Sequence, residues 1–381
     1  MKEINDSNKV VNVVAFVRST CIYDDSRATK EINALLDGGY KVVVLGWDRN
    51  GEAESQTMLL FKDKNVVCHF YHCIVPSGIG IKNLSKLLKW IRWTKKELNT
   101  INRLYAVHAC NLDGGFGAYL FCKKRKIPLI YDIYDYYIDS HNIPRGLRNL
   151  VEVTEKLVIS FANVTIICTE QRRKQIKNAN PKNVLVIHNS PDVASISNEK
   201  EKYDYAYCGS LCDMRLIKEI VEEYVNHKEL KFAFAGNDKY KQYIQHISSQ
   251  YENIQFFGTI TYNKVLEIES QSKVLSAIYE PSIKNHKLCA PNKFYEALAL
   301  GKPLIVCKGT GIDEVVKDNN IGIVINYSSE EFFMALKTLL RSEKNRREMG
   351  QRARQLYEDS YRWSMMQAKL QNEYKQLYSR K

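Results

Sequence analysis

Nowhere in this 381-residue sequence do ~18 apolar residues run together, so no membrane-crossing helix is expected. The first nine residues, Met1–Lys9, lack the apolar stretch that a signal peptide needs, which predicts a cytosolic chain. Ten cysteines include no C-x-x-C pair, and most fall in apolar strand-like runs such as Thr165–Cys168. They read as reduced core residues rather than as a disulfide framework or metal centre. With 18 glycines and 8 prolines the composition excludes collagen-like and low-complexity classes. Negative charge is the scarcer sign: 43 acidic residues face 56 basic ones, a net charge of +13. That excess favours an anionic partner, whether nucleic acid, membrane surface or phosphate-bearing ligand. What is present is ordinary globular composition, 45% apolar and 26% charged, long enough for two domains at ~150 residues each.

Short β-branched runs alternate with longer stretches of helical period. In the first half strands are expected at 10–17, 41–45, 66–71, 106–110, 129–133, 164–168 and 184–187. Helices are expected between them, near 26–38, 82–103, 114–124, 147–161 and 170–178. The polar, turn-rich stretch 189–201 reads as a linker. A second series follows, with strands at 203–208, 231–235, 254–257, 274–279, 303–307 and 322–325. Its helices are expected near 213–225, 262–271, 292–300, 312–317 and 329–340, and helical period resumes at 343–350 and 363–378. Uniformly apolar strands alternating with helices imply parallel sheets covered on both faces. The fold class is therefore α/β: two Rossmann-like doubly wound domains, 1–188 and 202–358, facing a central cleft where such sheets bind ligands. Residues 359–381 read as a C-terminal helix packed back on the N-terminal domain.

The stretch 280–307 is densest in chemistry. Pro291 suits the first turn of a helix whose amides hold an anion, Glu296 follows one turn later, and Gly301 ends the helix. A carboxylate so placed can bind both hydroxyls of a ribose; a solvated surface glutamate is the plainer alternative. Lys293, in the helix's first turns, is placed to meet a diphosphate, its alternative being a solvated lysine.

The run Ala290-Pro-Asn-Lys-Phe-Tyr-Glu-Ala-Leu-Ala-Leu-Gly-Lys-Pro-Leu-Ile-Val306 resembles the nucleotide-sugar-binding segment of glycosyltransferase family 4. Members of that family have the two-domain GT-B fold and transfer sugars with retention. The resemblance implies that Glu296 binds the donor ribose; Asn292, next to Lys293, is placed with it in the donor site. The family's sugar-contacting glutamate, eight positions upstream, is here Leu288. Tyr207-Cys-Gly-Ser-Leu211 followed by Arg215 is similar to the family's Gly-Arg-Leu segment with its later basic residue, which puts Gly209, Ser210 and Arg215 at the diphosphate. Ser210 stands where the family often has arginine. A fixed cation stabilises departure of a leaving group that gains negative charge, so Arg215 also has a physical case; a solvated helix residue is its alternative. Gly309-Thr310-Gly311-Ile312 is similar to the family's glycine turn, where backbone amides approach phosphate or sugar.

In the first half, 25–31 followed by 39–46 looks like the family's first crossover, whose preceding loop faces the acceptor. Arg18 and Arg27 are acceptor-side candidates to meet a phosphate, with a salt bridge to Asp25 equally open for Arg27. His108–Asp113 and Pro128–Asp135 resemble two further strand ends facing the cleft, which nominates His108, Asp132, Tyr134 and Asp135. Relatives often carry histidine at the position of Tyr134. Asp132 and Asp135 are assigned to sugar or acceptor hydroxyls in the catalytic set with Arg215 and Lys293, with structural capping as the alternative. A lone histidine inside an apolar strand, such as His108, is otherwise a hydrogen-bonded core residue. No metal cluster with convincing spacing and no D-x-D signature stands out, so no metal and no cofactor are expected beyond the nucleoside-diphosphate sugar itself.

In 81–103, Leu84, Leu87, Leu88, Ile91, Leu98 and Ile101 share one helical stripe, and Lys82, Lys86, Lys89, Arg92, Lys95, Lys96 and Arg103 face away from it, with Trp93 among the lysines. This predicts peripheral contact with the inner face of the cell membrane, against the alternative of a core-facing stripe with a solvated basic back. The resemblance implies transfer of a sugar to a glycan or polyprenyl-phosphate-linked acceptor in bacterial cell-surface synthesis. A GT-B nucleotide-sugar epimerase and a catalytically inactive scaffold subunit remain as other readings. No nucleic-acid motif accompanies the basic charge, so no nucleic acid is expected as partner.

Overall fold

The computed structural model describes residues 11–75, 84–193 and 200–379. The chain divides into two compact units, Met1–Ile187 with Gln367–Lys381, and His188–Met366. Residue 10 of the first expected strand, 81–83 of the basic segment and 194–199 of the expected linker lie outside the described residues.

The first unit holds strands β1 (Val13–Arg18), β2 (Lys41–Asp48), β3 (Val66–His72), β4 (Leu104–Cys110), β5 (Leu129–Ile133), β6 (Val164–Ile167) and β7 (Val184–Val186). All pair in parallel, in the order β3-β2-β1-β4-β5-β6-β7. Its helices are α1 (Ser26–Asp37), α2 (Ala53–Leu60), α3 (Leu84–Thr100), α4 (Asn111–Arg125), α5 (Tyr137–Ser140), α6 (Arg145–Phe161) and α7 (Arg173–Ile176). Asp25 caps α1 by accepting from the amides of Arg27 and Ala28, which fixes where the chain turns from β1 into the helix. β2 runs to Asp48, past its expected end at 45, because Gly46, Trp47 and Asp48 keep pairing with Phe70, Tyr71 and His72.

The second unit holds β8 (Tyr203–Cys208), β9 (Phe232–Ala235), β10 (Ile254–Phe256), β11 (Ser272–Ala277), β12 (Leu304–Cys307) and β13 (Gly322–Ile325), again all parallel, in the order β10-β9-β8-β11-β12-β13. Its helices are α8 (Ile217–Glu223), α9 (Lys241–Gln250), α10 (Tyr262–Ser270), α11 (Asn292–Ala299), α12 (Asp313–Asp318), α13 (Ser329–Leu340) and α14 (Glu343–Leu356). The last helix, α15 (Trp363–Gln376), starts in this unit, and its residues from Gln367 onward belong to the first. Each sheet is a doubly wound α/β sheet with its own apolar core.

Helix α3 corrects one expectation. Ile91 and Leu98 are buried and Leu87, Ile101 and Trp93 pack on the same core, so most of the apolar stripe faces inward. Trp93 does not project among the lysines: it stacks on Trp90 at 5.3 Å, within a group that includes Trp47 and Tyr71. Only Leu84 and Leu88 of the stripe remain exposed. Among the described residues no helix is long and apolar enough to cross a membrane. All ten cysteines are free, but Cys21, Cys68 and Cys73 are half-buried rather than core residues.

Candidate functional site

In both sheets the winding reverses between the first strand and its neighbour across the crossover, β1 beside β4 and β8 beside β11. Connections there leave in opposite directions and open a crevice outside the strands' carboxyl ends, where doubly wound sheets bind ligands. The candidate residues gather at these two points, one within each unit.

In the second unit the chain leaves β8 at Gly209, whose amide donates to the Ala235 carbonyl at 2.8 Å. A Cβ on Gly209 would lie 2.9 Å from both Cε and Nζ of Lys293, so the missing side chain is what lets the lysine lie across the strand end. Lys293 Nζ is 4.7 Å from the centre of the Tyr207 ring and 4.0 Å from Glu269 Oε1, and its side chain is 13% exposed. Burial works against the charged amine, but the carboxylates of Glu269 and Glu296 outweigh it and hold the ammonium above its ordinary pKa. Arg215 ends the short turn Asp213–Arg215 and lays its guanidinium over Tyr279, 3.8 Å from the ring centre. It also donates to His286 Nε2 at 3.3 Å. His286 Nδ1 faces the Glu280 carbonyl at 2.9 Å, which keeps the proton on Nδ1 and leaves Nε2 to accept. Arg215 and Lys293 both act on the Tyr279 hydroxyl, opposing the burial that raises its pKa. Two cations thus converge on two tyrosine rings at the switch point.

Behind them lie two carboxyls. Glu296 is 3% exposed and Glu269, on α10, is 2% exposed. Burial, then the charge of Glu296, pushes Glu269 well above the carboxylate range, with Lys293 opposing. No motif in the sequence marked Glu269 or Tyr279, and Tyr207 and His286 lay inside quoted stretches without a role; they are found because β8, β11 and α10 converge here.

Several expectations need correcting. Pro291 is the residue before α11, not in its first turn. Glu296 is buried, which removes the plain reading of a solvated surface glutamate. Ser210 is exposed and donates to Asp238 at 2.5 Å, and Asn292 is exposed at the start of α11. Gly309 and Gly311 do adopt positive φ, +80° and +79°, as a glycine turn requires. The Gly309 amide, however, donates to Asp313 at 2.7 Å, the Thr310 hydroxyl donates to the Cys307 carbonyl at 2.6 Å, and Ile312 is buried. Of the backbone amides that the resemblance offered to phosphate or sugar, that of Gly309 is engaged by the protein's own Asp313.

In the first unit the switch point carries Arg18, at the end of β1, paired with Asp25 and lying 4.0 Å over the Tyr134 ring. Asp25 therefore pairs with Arg18 and not with Arg27. Arg27 is 4% exposed, bound to Asp132 at 2.8 Å, to Glu31 at 3.0 Å and to the Ile187 carbonyl at 2.7 Å. Buried and engaged, it is not placed to meet an acceptor phosphate. Asp132 and His108 are both fully buried. His108 Nδ1 faces the Tyr374 hydroxyl at 2.9 Å and Nε2 faces Asp132 at 3.4 Å, which makes it the core histidine of the two readings. Burial pushes the Asp132 carboxyl up, but Arg27 and the hydrogen bond from His108 outweigh it and hold it below the ordinary carboxylate range. Glu31 goes the other way: burial and the neighbouring Asp132 raise it well above that range, against Arg27. Asp132 is thus the structural partner of Arg27 rather than a group open to hydroxyls. Tyr134 donates to Glu31 at 3.2 Å, and Asp135, half-exposed, pairs with Arg172 at 3.0 Å.

Among the described residues one trio, His108, Cys110 and Asp132, has ligand atoms within 4.8 Å of one another. It does not suit a metal ion: Asp132 is committed to Arg27, and burial pushes the Cys110 thiol far from its thiolate form.

Two parallel doubly wound units, the second with a paired-cation site at its switch point, define the GT-B class of architecture. Residues 192–356 match the family model described as glycosyl transferases group 1. An uncharacterized glycosyltransferase of Methanocaldococcus jannaschii is 24% identical over 189 residues, 48% of this chain and 46% of the relative, so the match spans about half the length of that curated protein. Sucrose-phosphate synthase from Thermosynechococcus elongatus superimposes with a TM-score of 0.71 at 13% identity, over 97% of this chain and 100% of the other. Anabaena HepE in complex with UDP gives 0.68 at 11%, over 95% and 99%. The resemblance read from residues 290–306 is upheld: this chain has the GT-B fold, and its second unit carries the group 1 glycosyltransferase segment.

Proposed function

We propose that the chain is a retaining glycosyltransferase that takes a nucleoside-diphosphate sugar in its second unit and passes the sugar to a glycan or lipid-linked acceptor held by its first. One observation carries this reading: Arg215 and Lys293 converge beside Gly209 at the switch point of the second sheet, within the matched segment. Lys293 fills the role vacated at Ser210, where the family often has arginine, because its ammonium lies over Gly209. The two cations stabilise the charge that builds on the diphosphate as the glycosidic bond breaks, without a metal ion. The departing phosphate then takes the acceptor's proton while the acceptor attacks the same face of the sugar. Glu296, one of the two carboxyls acting on Lys293, accepts from the ribose hydroxyls.

HepE is described bound to UDP, which makes UDP the first probe. UDP, GDP, ADP and CMP are compared for thermal stabilisation, since a ligand raises stability by RT ln(1 + [L]/Kd). One of the diphosphates is expected to stabilise the chain in the presence of EDTA, and Glu296→Gln to lower kcat/KM for its sugar roughly ten- to a hundredfold. Wild-type kinetics in Glu296→Gln would remove the donor-site assignment. A second reading, an inactive scaffold at the membrane, draws on Leu288 and Tyr134 standing where the family has polar groups; nucleotide binding without turnover of any sugar nucleotide would favour it.

A further inference from the structure

Helix α6 is apolar on its outward side. Leu147, Leu150, Val153 and Leu157 recur at three- and four-residue spacing and are 37%, 64%, 52% and 51% exposed. On the other side Glu155, Val158 and Ile159 are buried against the sheet. An amphipathic helix turns its polar face to water; this one turns leucines and a valine. Scattered exposed leucines are ordinary, but four apolar side chains on one helix face make a surface.

The surroundings say what that surface meets. Helix α4 packs between α3 and α6. On α4, Phe116 stacks on Tyr119 at 6.2 Å, and Tyr119 meets Phe161, the last residue of α6, edge-on at 5.1 Å. Lys123 lies 5.5 Å from the Tyr119 ring centre and Lys182 lies 5.3 Å from that of Phe161. Half-buried aromatic rings with lysines above them are the pattern of a headgroup boundary. Farther along, α4 ends in Lys123, Lys124 and Arg125, and α3 exposes Leu84 and Leu88 together with Lys89, Arg92 and Lys96. The carboxylates of α3, α5 and α6 that reach this side are engaged: Glu97 with His69 at 2.9 Å, Asp139 with Arg148 at 3.7 Å, and Glu152 with Lys156 at 2.7 Å. What remains is apolar and cationic, and its complement is an anionic bilayer rather than a protein face of mixed charge.

We infer that the α3–α4–α6 layer of the first unit docks on an anionic lipid surface, with α6 as its apolar contact and the basic residues of α3 and α4 as its electrostatic attraction. This moves the apolar contact from α3, where the sequence placed it, to α6. It deepens the proposed function by giving a lipid-borne acceptor a place to arrive, and it rests on that reading only there.

The test uses the full chain with neither donor nor acceptor, so its failure leaves the donor chemistry standing. The protein is floated with vesicles of phosphatidylcholine alone and with vesicles carrying about a third phosphatidylglycerol. Binding is expected only to the anionic vesicles, and is expected to fade as salt is raised. Leu150→Ser with Leu157→Ser should weaken it about tenfold or more at unchanged Tm, since both side chains are exposed in the folded chain. Lys89→Glu with Arg92→Glu and Lys96→Glu should erase the preference for anionic lipid. A wild-type chain that stays off anionic vesicles, or a double leucine variant that binds as well as wild type, overturns the inference. So does a dimer in light scattering that the leucine variant dissociates, which would assign the face to a second copy of the chain.

Discussion

The two units bury charge in opposite ways. In the first, Arg27, Glu31, Asp132 and His108 are at most 5% exposed at their side chains and satisfy one another. In the second, Lys293 keeps 13% of its side chain accessible with Glu269 4.0 Å away, and Arg215 lies half-buried on a tyrosine ring. The residue types are the same. A cation enclosed by its counter-charges is structure, whereas a less enclosed cation is open to an anion from outside, as the proposed function requires. Position at a switch point does not separate the two; the placement of the carboxyls does.

Removing one carboxyl from each cluster tests this most severely. Asp132→Asn leaves the Arg27 charge buried with its main partner gone and is expected to cost about 3–5 kcal/mol in denaturant unfolding. Glu269→Gln, at a carboxyl that burial and Glu296 already push well above the ordinary range, should cost less than about 1 kcal/mol. Similar losses in the two variants would erase the distinction. The pH dependence follows the same division. The carboxyl of Asp132 is lowered in the fold, so its contribution is present above the ordinary aspartate range and is lost as pH falls through the folded value.

Glu155 is another buried carboxyl, and among the described residues no cation forms an ion pair with it. It accepts from the Tyr131 hydroxyl at 3.0 Å and the Tyr137 amide at 3.1 Å, and burial pushes it up to about 8. Between the ordinary glutamate value, near 4.5, and about 8 the folded chain holds a proton that the unfolded chain has released, so stability falls as pH rises through that window, by at most ~1.4 kcal/mol per pH unit. Glu155→Gln should flatten that slope in melts taken across the window; an unchanged slope would show that Glu155 is not its source.

The smallest effect sharpens the open cluster. Gly209→Ala puts a methyl 2.9 Å from the end of Lys293, a flexible side chain that can move away cheaply. Tm should hardly change, while affinity for the stabilising nucleotide falls roughly tenfold, the weight of about one charge-assisted hydrogen bond. Full affinity in this variant would take Lys293 out of the site.

Strand alternation made the two sheets legible from sequence, because strands covered on both faces must be apolar throughout. Two helices were not legible. α2 (AESQTMLL) exposes Met58, Leu59 and Leu60, so its apolar residues follow no helical period, and α9 turns only Ile244 into the core as a fully buried residue. Arg215 was legible through the resemblance of its segment to the family's, and Lys293 through its place in the first turns of its helix. The enclosure of Arg27 was not, because its partner Asp132 is 105 residues away and local patterns carry no sign of it. Glu269 was hidden for the same reason. The outward leucines of α6 were read as an ordinary helix because periodicity tells which residues share a face, not which face meets water.

The return of α15 to the first unit sets an order on how the chain is made. Tyr374 is fully buried, its hydroxyl on His108 at 2.9 Å and its carbonyl accepting from Tyr105 at 2.9 Å, and Glu373 accepts from Asn183 at 2.6 Å. Synthesis runs from the N-terminus, so these residues leave the ribosome after every residue of the second unit. The first sheet can form early, but His108 waits for its partner until the second unit has been made. Through that interval the charge cluster around His108 lacks its Tyr374 contact, and the first unit is completed only after the second has been synthesised.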